Sequence, residues 1–264
     1  MITTAEKSPL LDFHNLRVMR GQKIALDDFS LRIHADEHVA ILGPNGCGKS
    51  TLIKTITREC YPVARDDSWM KLLGHETWDV FKLRQHMGIV SNDMMLSCTG
   101  EASGREVVLS GFFSSTAIWP NHTVDREKIK LAEAALAELK ISHLAERPVC
   151  EMSSGEARRV LIARALVHKP GALLFDEPCN SLDLSAQQSV RHTMRALANS
   201  GTAIILVTHE LADIVPEIGR VVLMDRGRVV ADGRKEDILQ VERLAALFGV
   251  SVEMAQRDGQ YHLW

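Results

Sequence analysis

Glu37-His-Val-Ala-Ile-Leu-Gly43-Pro-Asn-Gly-Cys-Gly-Lys-Ser50-Thr51 is the stretch on which the reading of this chain turns. Its first half, Glu37 to Gly43, reads as a buried strand running into a glycine-rich turn. Its second half, Gly43 to Ser50, matches G-x-x-x-x-G-K-[ST], and a helix is expected to open near Lys49. Strand, turn and helix in that order give the pattern a mechanism. The glycines let backbone amides face a phosphate, and the positive end of the helix adds to their pull. The loop of Gly43, Pro44, Asn45, Gly46, Cys47 and Gly48 is thus expected to wrap the α- and β-phosphates of a nucleotide. Lys49 is expected to reach the β- and γ-phosphates, Ser50 to ligate Mg2+, and Thr51 to support the α-phosphate. Cys47 reads as a small residue that the tight loop tolerates.

A second apolar run, Ala172-Leu-Leu-Phe-Asp-Glu-Pro178, ends in two adjacent acids. A strand in a parallel sheet delivers such residues to its carboxyl edge, where the phosphate loop also lies. Asp176 is expected to hold Mg2+, and Glu177 to orient or deprotonate an attacking water. His209 follows another apolar strand, Ala203 to Val207, and is expected on the same edge as a donor near the γ-phosphate.

The composition allows this and narrows the partners. Of 264 residues, 25% are charged and 45% hydrophobic, the mixture of a soluble globular protein. A formal net charge of -3 argues against nucleic acid as the general partner. The longest apolar runs, such as Ala203 to Val207 and Val39 to Leu42, fall far short of the roughly 20 residues that span a bilayer, so no membrane insertion is expected. The polar start from Met1 to Pro9 lacks a secretory apolar core, which predicts a cytoplasmic protein. Cys47, Cys60, Cys98, Cys150 and Cys179 show no metal-ligand spacing and suit a reducing compartment.

Elsewhere the chain alternates between strand and helix. Short strands are expected at Phe29–Ile33, Met70–Leu73 and Met87–Ser91, with the region from Tyr61 to Trp78 otherwise irregular. Helices are expected over Arg105–Phe113, Asp125–Leu139 and Gly155–Val167. Strands at Ala172–Asp176, Thr202–Thr208 and Arg220–Met224 then alternate with helical segments starting near Leu184 and Leu211. Asp225-Arg-Gly-Arg228 and Asp258-Gly259 are turn signals, the second closing a small C-terminal hairpin. The expected fold is α/β: a P-loop NTPase core with a mostly parallel sheet, an N-terminal antiparallel β subdomain and an inserted helical subdomain. One domain is expected, with residues 1–91 and 158–264 as the nucleotide-binding core and 92–157 as the helical insert.

Met152-Ser-Ser-Gly-Glu156 precedes a helix carrying Arg158, Arg159 and Arg164. Together with the phosphate loop, Phe175-Asp-Glu-Pro178, Ser181-Leu-Asp183 and Thr208-His209, in this order, it resembles the ATP-binding-cassette (ABC) ATPases across nearly the whole chain. Within that family Glu37–Leu42, Gly88–Ser91, Val108–Phe112 and Phe175–Cys179 look most similar to stand-alone molybdenum-transport or photorepair-like ATP-binding components. The resemblance implies that ATP is bound together with Mg2+, and hydrolysed, at the interface of a head-to-tail homodimer. It also implies that Ser153, Ser154, Gly155 and Glu156 are the signature motif, closing over ATP held by the other copy, and that Asp183 lies in the interface. Physically, Ser153 and the Gly155 amide at a helix N-terminus supply donors and a positive dipole to a γ-phosphate, while Asp183 is equally a helix cap.

Several positions depart from the family pattern. Ser154 replaces a glycine and Glu156 a glutamine, and the metal-contacting glutamine expected after Met87–Ser91 is Asn92. The aromatic that stacks on adenine is missing near Arg20-Gly21, where Arg20 can stack its guanidinium or remain solvated. Two roles stay open at this point. One is the motor of a transporter, working through a separate membrane permease at the inner face of the cell membrane. The other is a soluble ATP-gated switch. A small-molecule kinase fits poorly, because the signature, the Asp176-Glu177 pair and His209 leave no acceptor site.

Overall fold

The structure, a computed structural model, describes residues 9–97 and 100–264, without the side chains of residues 92, 95 and 96. In chain order it begins with strands β1 (Leu11–Arg20), β2 (Lys23–Ile33) and β3 (Val39–Leu42), helix α1 (Lys49–Ile56), β4 (Trp69–Leu72), α2 (Val80–His86) and β5 (Met87–Val90). Helices α3 (Asn92–Ser97), α4 (Gly104–Ser110), α5 (Arg126–Glu138) and α6 (Ser154–Leu166) follow, then β6 (Ala172–Asp176), α7 (Leu184–Asn199) and β7 (Ala203–Thr208). The chain ends with β8 (Arg220–Asp225), β9 (Arg228–Arg234), α8 (Lys235–Ile238), α9 (Val241–Phe248), β10 (Met254–Arg257) and β11 (Gln260–Leu263). Cys98 lies outside the described residues.

Two units emerge from the internal contacts, one made of the residues up to Val80 with Ala203–Trp264, the other of Phe81–Thr202. In the first, β3 runs parallel to both β7 and β8, in register Leu42↔Thr208 and Leu42↔Leu223. Every residue of β3 and β7 is buried, which explains their unbroken apolar character, since a strand inside a parallel sheet is covered on both faces. The Arg226-Gly227 turn, with φ of 45° and 78°, folds β9 back antiparallel onto β8. A separate antiparallel sheet has the order β2-β1-β4, as the N-terminal β subdomain requires.

The length of β1 and β2 exceeds what the pattern indicated. Along Leu11–Arg20 apolar residues alternate only up to Phe13, and then Asn15, at φ 54°, shifts the register between Phe13 and Leu16. A bulge of this kind inserts a residue and breaks the period of two on which the strand signal rests. The helical segment expected at Leu211 is a single 3-10 turn, Leu211–Asp213. Pro216 lacks an N–H and drives the residue before it out of the helical region, so no helix propagates there. The C-terminal hairpin forms as expected, β10 antiparallel to β11 around Asp258 and Gly259, both at positive φ.

In the second unit β5 and β6 pair in parallel, Val90 opposite Phe175. Helix α6 is buried on nearly every side, with Ala157, Val160, Leu161, Ile162, Ala163, Ala165 and Leu166 all covered. Glycines make these close approaches feasible: a Cβ on Gly88 would meet the Ala165 carbonyl at 2.5 Å, and one on Gly111 the Arg164 carbonyl at 2.6 Å. Arg164 itself is buried, its guanidinium donating to Ser110 Oγ at 3.1 Å and to the Ser115 carbonyl at 2.8 Å. The protein is thus an α/β fold with a mostly parallel sheet and a distinct antiparallel one. Among the described residues no helix is long and apolar enough to cross a membrane.

Candidate nucleotide site

The loop from Gly43 to Gly48 joins β3 to α1. The Gly43 N–H donates to the Thr208 carbonyl at 3.4 Å, and the Gly227 N–H to the Cys47 carbonyl at 2.7 Å, so the end of β7 and the turn between β8 and β9 anchor the loop. Lys49 is 6% exposed, and its ammonium donates to the carbonyls of Gly43 at 2.8 Å and Pro44 at 3.1 Å. The side chain therefore reaches back across the loop it follows. Ser50 is exposed on the first turn of α1, whereas Thr51 is buried and its carbonyl accepts the Thr55 hydroxyl.

Gly48 caps α1 at φ 112°, a conformation closed to other residues, and a Cβ there would lie 2.7 Å from the Ala25 carbonyl. Gly48→Ala is accordingly expected to lower stability by about 1–3 kcal/mol, read as an earlier midpoint in urea unfolding. Cys47 is buried against this loop, and burial pushes its thiol up. A thiol so shifted is a poor thiolate, in keeping with a packing role.

His209 reaches the same edge. Because Leu42 pairs with Thr208, the next residue on each strand, Gly43 and His209, emerges side by side at the carboxyl ends. The turn is held by Glu210 N–H to Thr208 Oγ1 at 3.0 Å, and His209 Nε2 lies 3.5 Å from Glu210 Oε1. His209 also lines a cavity of about 460 Å³ with Leu211, Phe248, His262 and Trp264. Arg20, at the end of β1, is exposed and directs its guanidinium to Cys60 Sγ at 3.2 Å.

Within the second unit, the Val90↔Phe175 register sets Ser91 beside Asp176 at the strand ends, and α3 opens there at Asn92, whose side chain lies outside the described residues. Asp176 and Glu177 are both half-buried. Glu177 sits at φ 45°, a left-handed geometry that a non-glycine residue adopts at a cost and that is common at working sites. Its carbonyl accepts the Asn180 N–H at 3.1 Å, and its Oε2 lies 3.5 Å from Asn180 Nδ2.

Both expected interface segments are helix caps. Asp183 Oδ1 accepts the Ala186 N–H at 2.8 Å at the start of α7, and the adjoining Leu184 is 77% exposed. At the start of α6, Ser153 Oγ accepts the Glu156 N–H at 3.2 Å while Glu156 Oε2 accepts the Ser153 N–H at 2.8 Å. This reciprocal capping box explains glutamate at that position, a role that S-x-x-E spacing alone could have signalled. Gly155 brings the two caps together, since a Cβ there would lie 2.7 Å from Ala186 Cβ. Arg147, outside every motif, also reaches this turn, and nothing in the sequence marked it.

A family described as ABC transporter matches residues 26–180, more than half of the chain. The hemin import ATP-binding protein HmuV of Bradyrhizobium diazoefficiens is 31% identical over 260 residues, covering 96% of this chain and 93% of that protein. Among solved structures, an ABC transporter in an inward-facing conformation superposes with a TM-score of 0.79 at 25% identity, over 97% of this chain and 96% of that one. The protein cbiO1 from Clostridium perfringens, part of the ABC transporter complex cbiONQ, gives 0.74 at 28% identity, over 90% and 94%. The chain therefore belongs to the ABC transporter family, as one of its ATP-binding components.

Proposed function

We propose that this chain hydrolyses Mg-ATP as a head-to-tail homodimer and energises transport through a separate membrane permease. The observation that carries the reading is the phosphate loop anchored beside His209, in a chain similar end to end to an import ATP-binding protein. Gly43 to Gly48 wrap the phosphates with backbone amides, Lys49 binds the β- and γ-phosphates, and Thr51 supports the α-phosphate. Arg20 lies beneath the adenine. Ser50 and Asp176, with Asn92 as a weaker third donor, supply hard oxygen ligands suited to Mg2+. That ion, when bound, neutralises charge on the β- and γ-phosphates. Glu177 takes a proton from the attacking water, and His209 donates to the γ-phosphate.

Ser153, Ser154, Gly155 and Glu156 close over the nucleotide of the other copy, and Asp183 with the exposed Leu184 contributes to the interface. Serine at 153 is exposed at a helix N-terminus, where donors and dipole favour an anion. Ser153→Arg is expected to bind ATP with unchanged affinity yet remain monomeric by light scattering with ATP present. An ATP-dependent dimer of that variant would overturn the role of the turn. Purification from native membranes is expected to recover a multispanning protein in stoichiometric amount, and repeated recovery of a soluble partner in its place would favour an ATP-gated switch.

A further inference from the structure

Arg147 stands nine residues before Glu156 and takes no part in the reading above. Its side chain spans the turn that leads into α6: Nη2 donates to the Glu151 carbonyl, and Nη1 lies 3.4 Å from Glu156 Oε1. Its own carbonyl accepts the Gly104 N–H at 3.0 Å, which ties the base of this clamp to the start of α4. The residue is half-exposed, with 43% of its side chain accessible against 23% for Glu156.

The donors that this arrangement leaves can be enumerated. A helix begins with backbone amides that have no helical acceptor, here those of Ser153, Ser154, Gly155 and Glu156. The capping box engages the first and the last. Among the described residues the amides of Ser154 and Gly155 have no acceptor. Ser153 Oγ accepts the Glu156 N–H and its hydroxyl is engaged by the Glu156 carboxylate, so those two amides are the donors left over.

Glutamate in this box carries a consequence that glutamine would not. Its carboxylate stabilises the helix start, and by the same Coulombic rule it opposes a second anion arriving at those two amides. The hydrogen bonds from Ser153 hold its carboxyl below the usual range, so it is ionised at neutral pH.

We infer that Arg147 is a positioning residue for anion capture at the Ser153 turn: it offsets the charge of Glu156, so that the Ser154 and Gly155 amides can receive a phosphate. The inference rests on the reading in which this turn closes over nucleotide held by a second copy. A purely structural strut would hold the turn whatever the charge at 156, which separates the two roles.

The test uses the full chain carrying Glu177→Gln, with Mg-ATP, and reads the dimer dissociation constant by sedimentation. Arg147→Met is expected to weaken the dimer about tenfold, roughly threefold for each of its two turns, and Arg147→Lys to keep most of the affinity. Adding Glu156→Gln to Arg147→Met is expected to restore the dimer to within about twofold, because a neutral glutamine keeps the box without the charge. Dimers of equal strength in all variants, or a defect that persists after Glu156→Gln, would overturn the role of Arg147 while leaving the dimer reading intact. Absence of ATP-dependent dimers from the Glu177→Gln parent as well would overturn both. If circular dichroism shows Arg147→Met unfolded, Glu156→Gln alone decides: it is expected to tighten the dimer by about threefold or more, and no tightening sinks the inference.

Discussion

Glu177→Gln is expected to slow ATP turnover by about 100- to 10,000-fold while ATP stays bound, so that the protein collects as an ATP-held dimer. Glutamine keeps the size and the hydrogen-bonding edge of the side chain but cannot accept a proton, so the substitution removes one chemical act and little packing. The setting of the residue supports this specificity. Glu177 follows the end of β6 at φ 45°, and its carbonyl is held by Asn180, so the backbone that aims the side chain is fixed by its own turn and not by the carboxylate. Phosphate release and light scattering, measured on the same preparation, check both halves of the expectation. Turnover at the parent rate would remove Glu177 from the chemistry.

Lys49→Ala is expected to weaken ATP binding by about 100-fold or more, as the loss of two charge-assisted hydrogen bonds of about 1.5–3 kcal/mol each implies. The ammonium is buried, and it bridges the carbonyls of Gly43 and Pro44. Removing it also leaves those carbonyls short of a donor, so a modest fall in stability is expected beside the loss of binding. Titration with a fluorescent nucleotide reads the first effect and urea unfolding the second. Binding within a fewfold of the parent, in a folded variant, would mean that the loop amides alone hold the phosphates.

The chemistry and the fold were legible to different degrees. The phosphate loop needs only consecutive residues: glycines that open the backbone, a lysine and a serine at fixed spacing, and a strand before and a helix after, all of which the structure forms from Val39 to Ile56. The acids at 176 and 177 were readable for the same reason, as an apolar run that stops in charge. Strand β1 was hidden because a single residue, Asn15, throws its alternation out of phase. The segment after His209 looked helical by its apolar spacing, yet Pro216 and the side-chain bonds of Thr208 restrict it to one turn.

Local order thus yields the glycine-rich loop, the paired acids and the α/β class, and S-x-x-E could have given the cap of α6 as well. What required folded coordinates was the exact pairing of residues far apart in the chain: Leu42 opposite Thr208, Gly155 against Ala186, and Arg147 over Glu156. The physical reason is that dihedral preference and hydrogen-bond spacing act over a few residues and are written in them directly. Strand register and side-chain reach are settled only when the whole sheet and its helices pack, and no short window of sequence contains that information.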